Sequence, residues 1–226
     1  MAAVLVLLAP LSACGKEATS DGSPSQSLPL RGVASAGAEP APRELAPLVI
    51  FLGDSLTAGY GLPAEQGFPT LVAEQLLAEG RRARIVNAGV SGDTTAGGLR
   101  RLDWLLPQKP DVLVVGLGGN DGLRGLSLRE TEENLRAIVA RGKAGGARVL
   151  LLGMKLPPNY GPEYAAGFEA IFGTVAREED VPLVPFLLEG VGGDPALNQP
   201  DGIHPNREGQ QRVARNVLPY LRDLLR

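Results

Sequence analysis

One cysteine and one histidine are all that 226 residues hold of those two types. A lone cysteine excludes a disulfide within the chain and any zinc site built from paired cysteines. A lone histidine means that a reaction needing an imidazole base has one candidate, His204. An excess of one charge is also missing. The net charge is −3, so there is no broad cationic surface for nucleic acid or anionic lipid. The apolar run Ala2 to Leu11 is too short to span a bilayer. Neither the dinucleotide spacing G-x-G-x-x-G nor the P-loop spacing is completed. The α/β-hydrolase elbow G-x-S-x-G is absent as well, because Gly53-Asp54-Ser55-Leu56-Thr57 lacks its second glycine. No internal repeat and no second domain is visible.

The first residues read as export machinery. Ala2 to Leu11 has the length of a signal-peptide h-region, and it ends in Leu11-Ser12-Ala13-Cys14, which resembles a bacterial lipobox. Residues 1–13 are therefore expected to be a signal peptide cut before a lipidated Cys14. Gly15 beside it resembles outer-membrane sorting in Gram-negative lipoproteins. Met1 is followed directly by Ala2 and Ala3, without the basic residues such a segment needs, so the true start is expected upstream. Gly15 to Ala46 is rich in Gly, Pro, Ser and Ala without apolar periodicity, and reads as a disordered linker. A flexible coil of that length spans roughly 30 Å.

From residue 47 onward strands and helices alternate. Val49-Ile50-Phe51-Leu52 is a continuous apolar run, as expected of a parallel strand covered on both faces. Further strands are expected at Ala83–Ala88, Asp111–Leu117, Ala147–Leu152 and Val181–Phe186. Helices are expected at Phe68–Glu79, Thr94–Leu106, Leu128–Arg141, Phe168–Glu179 and Arg207–Leu225. Ser127 with Glu130 forms a capping box, and Glu132 with Arg136 an i,i+4 pair. This rhythm predicts an α/β fold with one doubly wound sheet of about five parallel strands.

Chemistry is expected at the carboxyl ends of those strands, which share one edge of the sheet. The first ends in Gly53-Asp54-Ser55, the second in Asn87-Ala88-Gly89-Val90-Ser91-Gly92-Asp93-Thr94, the third in Gly118-Gly119-Asn120-Asp121. Asp201-Gly202-Ile203-His204 precedes the last helix, its carboxylate and imidazole three residues apart. Acyl transfer needs a hydroxyl, a base to take its proton and a carboxylate to fix the base. Ser55, His204 and Asp201 supply them. Donors for the developing oxyanion are expected from the Ser55 N–H, the Gly89 N–H and the Asn120 side-chain amide. Each piece has a plainer reading: Ser55 as a helix cap, His204 as a capping or surface histidine, and the glycine-rich stretches as turns.

GDSLTAGYG, NAGVSGDTT, GGNDGLRG and DGIHPN resemble the four blocks of the GDSL, or SGNH, hydrolases, in the right order. Glu130-Thr131-Glu132, Leu156–Gly161 and Val181–Phe186 are similar to the bacterial periplasmic multifunctional branch described as thioesterase, lysophospholipase and arylesterase. The resemblance implies a three-layer, flavodoxin-like α-β-α domain over residues 47–226. It implies Ser55 as nucleophile, Asp201 and His204 as its partners, and Gly89 and Asn120 as oxyanion donors. It also implies that the loop Gly122, Leu123, Arg124 and Gly125 moves against an acyl chain, with Leu156 and Pro157 lining its channel. No metal or cofactor is expected. The implied substrates are small esters, thioesters and lysolipids, and the chain is expected to be a monomer that meets the membrane only through Cys14. Export to the periplasm, tethered to the outer membrane, is the expected location. Two rival readings are a carbohydrate O-acetyl esterase and a non-catalytic lipoprotein that binds acyl chains or glycans.

Overall fold

In the computed structural model of the chain the described residues are 46–226. The expected signal peptide, Cys14 and the linker as far as residue 45 lie outside the described residues.

Five parallel strands form one sheet: β1 (Leu48–Gly53), β2 (Arg84–Gly89), β3 (Val112–Gly116), β4 (Arg148–Leu152) and β5 (Leu183–Val184). Their spatial order is β2-β1-β3-β4-β5. β1 is buried along its whole length, as its unbroken apolar sequence requires. The chain leaves β1 toward β2 on one side and returns to β3 on the other. This puts the topological switch point at the end of β1, where Gly53 stands level with Gly89 and Gly116. Ser55 opens the short helix that follows.

That helix is α1 (Ser55–Ala58). The others are α2 (Phe68–Ala78), α3 (Thr95–Leu105), α4 (Gly119–Leu123), α5 (Leu128–Ala144), α6 (Pro162–Glu178) and α7 (Arg207–Leu224). α2 packs on α7, while α3, α5 and α6 pack in sequence as a second layer, giving three layers. The core between them is aliphatic with two edge-to-face aromatic pairs, Phe51–Phe68 and Phe168–Phe172.

Three elements differ from expectation, each for a local reason. β5 pairs over two residues only, since Pro182 and Pro185 flank it and neither can donate to a ladder. α6 starts six residues early, at Pro162, a residue suited to the first turn of a helix. The stretch Gly119–Leu123, where a turn is the plainer reading of Gly118–Asp121 and a loop is implied from Gly122, is helical. Asp121 at its centre is buried and accepts from the Thr95 N–H (2.9 Å) and the Thr95 hydroxyl (2.5 Å), which locks α4 to the start of α3.

Candidate active site

Ser55 stands where β1 breaks into α1. Asp54 caps the helix by accepting the Leu56 N–H at 3.0 Å, and this aims the first turn, with the unbonded Ser55 N–H, at the sheet edge. From the far end of the chain, the loop before α7 brings His204 Nε2 to 2.9 Å from Ser55 Oγ across 149 positions. His204 Nδ1 lies 2.7 Å from Asp201 Oδ2. The other oxygen of Asp201 accepts the Ile203 and His204 backbone N–H groups at 2.9 and 3.0 Å. The carboxylate therefore holds both the ring and the main chain that carries it. Tyr60 stacks on the imidazole with ring centres 4.6 Å apart. Gln199 ties the two segments together: its Nε2 donates to the carbonyls of Tyr60 (2.7 Å) and Pro205 (3.1 Å).

Asn120 reaches the site from the first turn of α4. Its Nδ2 donates to the Asp93 carbonyl at 2.9 Å and, in a long bond of 3.4 Å, to Asp54 Oδ2, so the second N–H is weakly held and can be exchanged for a ligand oxygen at little cost. Gly89 does not join it. Its N–H donates to Asn87 Oδ1 at 3.0 Å, and a Cβ there would collide with the Thr57–Ala58 backbone. Glycine is required at that position for close packing of β2 on α1, not for access to a ligand. The glycine of this block that lines the cleft is Gly92, three residues later. Its N–H has no acceptor among the described residues.

The cleft itself is a cavity of about 760 Å³. Ser55, Asn120 and His204 line it together with the apolar Leu56, Leu123, Met154, Leu156, Pro157 and Leu188. Of the residues expected to touch an acyl chain, Leu123, Leu156 and Pro157 line it. Gly122 is instead packed behind the wall, where a Cβ would meet Leu156 and Phe168. Arg124 and Gly125 are not on the wall; Arg124 donates to the Gly92 carbonyl at 2.9 Å and so bridges two loops at the rim. Among the described residues no group of three or more His, Cys, Asp or Glu could hold a metal ion.

A sequence model of the GDSL-like lipase/acylhydrolase family matches residues 51–212. The chain belongs to that family. It is similar to Esterase TesA of Pseudomonas aeruginosa, 49% identical over 78% of this chain and 89% of that one. It is also similar to Thioesterase 1/protease 1/lysophospholipase L1 of Escherichia coli, 44% identical over 78% of this chain and 84% of that one. Among solved structures, the psychrotrophic esterase EstA from Pseudoalteromonas, inhibited by monoethylphosphonate, superposes with a TM-score of 0.75 at 35% identity. That match covers 79% of this chain and 98% of the other.

Electrostatics divide this GDSL site in two. Burial pushes the Asp54 carboxyl up to about 6, outweighing the Leu56 N–H that favours its charged form. The His204 and Ile203 backbone N–H groups, with the imidazole, hold Asp201 down at about 2. Sequence reasoning missed Gly92, although it lies in the same quoted block. It also missed Gln199 and Tyr60, whose contacts exist only once the two ends of the chain meet.

Proposed function

We propose that this chain is a serine hydrolase of carboxylic esters and thioesters that works through an acyl-serine. The observation that carries this reading is the relay of 2.9 Å and 2.7 Å from Ser55 Oγ through His204 to Asp201. Ser55 Oγ attacks the acyl carbon while its proton passes to His204 Nε2. The resulting oxyanion accepts from the Ser55 N–H, the Gly92 N–H and Asn120 Nδ2, with Gly92 replacing Gly89 in this role. His204 then returns the proton to the departing alkoxide or thiolate. Water, losing a proton to the same nitrogen, attacks the acyl-serine; the acyl–Oγ bond then breaks, the proton passes from Nε2 back to Ser55 Oγ, and the acid leaves. Asp201 stays ionised throughout and fixes the ring, as its low pKa suits it to do.

The apolar wall favours substrates with a hydrocarbon acyl chain, such as aryl or acyl esters, acyl-thioesters and lysophospholipids. The names esterase, thioesterase and lysophospholipase borne by the relatives support the same range. Leu123, Leu156 and Pro157 are the proposed chain contacts; the loop through Gly122, Arg124 and Gly125 would shape them from behind and at the rim. We read the enzyme as a monomer, exported and held at the outer membrane through Cys14, a reading supported by Leu11-Ser12-Ala13-Cys14 and the linker after it. Cys14→Ser should then move activity from the membrane fraction to the soluble one.

The test of the chemistry is Ser55→Ala. It should abolish turnover of a p-nitrophenyl ester and labelling by a fluorophosphonate, with the melting temperature nearly unchanged. Turnover retained in that variant would remove Ser55 from the mechanism.

A further inference from the structure

Arg100 and Arg101 are neighbours on α3, and nothing in the sequence separates them. In the fold they part completely. Arg100 points to solvent and has no hydrogen bond or ion pair among the described residues. The Arg101 side chain is only 25% exposed and lies under the site. Its Nη1 donates to the Ala88 carbonyl at 2.6 Å and its Nη2 to the Gly53 carbonyl at 3.0 Å. Its Nε and Nη2 both reach Asp93 Oδ2, at 2.8 and 2.6 Å.

Each of those acceptors belongs to the catalytic edge. Gly53 ends β1 just before Asp54 and Ser55, and Ala88 is the penultimate residue of β2. Asp93 follows Gly92, and its main-chain carbonyl is the acceptor that orients Asn120 Nδ2 at 2.9 Å. The Gly53 carbonyl also takes the Val90 N–H at 3.0 Å, and the Val90 carbonyl takes the Asp93 N–H at 3.0 Å. One guanidinium thus fastens the loop Val90–Asp93 to the ends of two strands. A planar guanidinium serves these three separated acceptors from three different nitrogens held in a fixed fork, whereas an ammonium presents its donors from a single atom. A partly buried guanidinium loses some hydration, which its set of charge-assisted bonds offsets.

We infer that Arg101 is a positioning residue for the oxyanion donors: through Asp93 and the two strand-end carbonyls it sets where the Gly92 N–H and Asn120 Nδ2 stand relative to Ser55. The inference rests on the esterase reading above, and it goes beyond it by adding a residue that touches no substrate. Donors of this kind contribute through their alignment with a charge that exists only in the transition state. Loosening them therefore lowers kcat and leaves KM nearly alone.

The experiment is a double-mutant cycle on p-nitrophenyl ester hydrolysis, with Arg101→Lys, Asn120→Ala and the pair. Arg101→Lys should lower kcat about tenfold with KM within about twofold. In the Asn120→Ala background the same change should cost less than about threefold, because the amide it orients is already gone. Arg100→Lys should match the parent enzyme. An unchanged kcat in Arg101→Lys overturns the inference, and so does an equal fold-loss in both backgrounds, since a residue that sets Asn120 Nδ2 cannot cost as much once that amide is gone. Should Arg101→Lys fail to fold, Asp93→Asn decides by the same two ratios, since it removes the carboxylate and keeps the guanidinium. Failure of the esterase reading is distinct: the parent enzyme itself would then neither turn over the ester nor take a fluorophosphonate.

Discussion

Asp54 and Asp201 flank the same serine, one preceding it in the chain and the other reaching it through His204. Asp54 is 4% exposed and capped into α1, with one N–H donor, and burial holds its carboxyl near 6. Asp201 lies in an open loop, with two backbone N–H donors and an imidazole around it, and sits near 2. Identical side chains a few residues from one hydroxyl are thus driven in opposite directions by desolvation and by donors. The carboxylate at the strand-end side of the site is dry and fixed by the fold. The acid–base side is wet and fixed by its own short-range hydrogen bonds. The result is a division of labour, with charge favoured where it orients the base and made costly by burial beside the oxyanion donors.

The strongest way to break this comparison is to remove charge from the wet side. Asp201→Asn keeps the shape of the loop but no longer fixes the imidazole tautomer. kcat on a p-nitrophenyl ester should fall by about 10³–10⁴-fold, with the circular-dichroism melt little moved, because the group is exposed. A loss of tenfold or less would show that the loop backbone alone positions His204. Next in size is the dry side's own donor. Asn120→Ala should lower kcat by roughly 10²-fold at nearly constant KM, as for a bond made mainly in the transition state. If KM rose instead, Asn120 would be holding the ground state.

The same division explains what the sequence could and could not disclose. Continuous apolar text at Val49–Leu52 and Val112–Val115 marks buried parallel strands, and the four blocks carry Ser55, Asn120, Asp201 and His204, which the fold gathers around one cleft. Those features are local or follow from topology. Gly89 ends β2 and Gly92 lies three residues later in the loop that follows, and which of them faces the cleft depends on how β2 packs against α1. That is a tertiary contact with no mark in the sequence. Arg101 is hidden for the same reason beside Arg100. Gln199 carries no recognisable pattern, since its partners Tyr60 and Pro205 come from opposite ends of the domain. The helix at Gly119–Leu123 was masked by its glycines, which read as a turn until Asp121 is seen bonded to Thr95.

The smallest expected effect sharpens the comparison most, because it has a sign. Asp54 binds its proton more tightly folded, near 6, than unfolded, near 3.8. Its contribution therefore favours folding at low pH and is lost as pH rises across the interval from about 3.8 to 6. Asp201 runs the other way: its contribution is present above about 3.8 and is lost as pH falls toward 2. Asn serves as well as Asp at a helix N-cap, so Asp54→Asn keeps the cap and removes only the cost of burying charge. At pH 8 that variant should gain roughly 1–3 kcal/mol, the upper end being the conversion of a two-unit shift. Its denaturation midpoint should also lose the decline with pH between about 4 and 6 that the parent shows. A destabilised Asp54→Asn at pH 8 would mean that the charge is held by attraction to its neighbours rather than tolerated against burial, and the contrast with Asp201 would collapse.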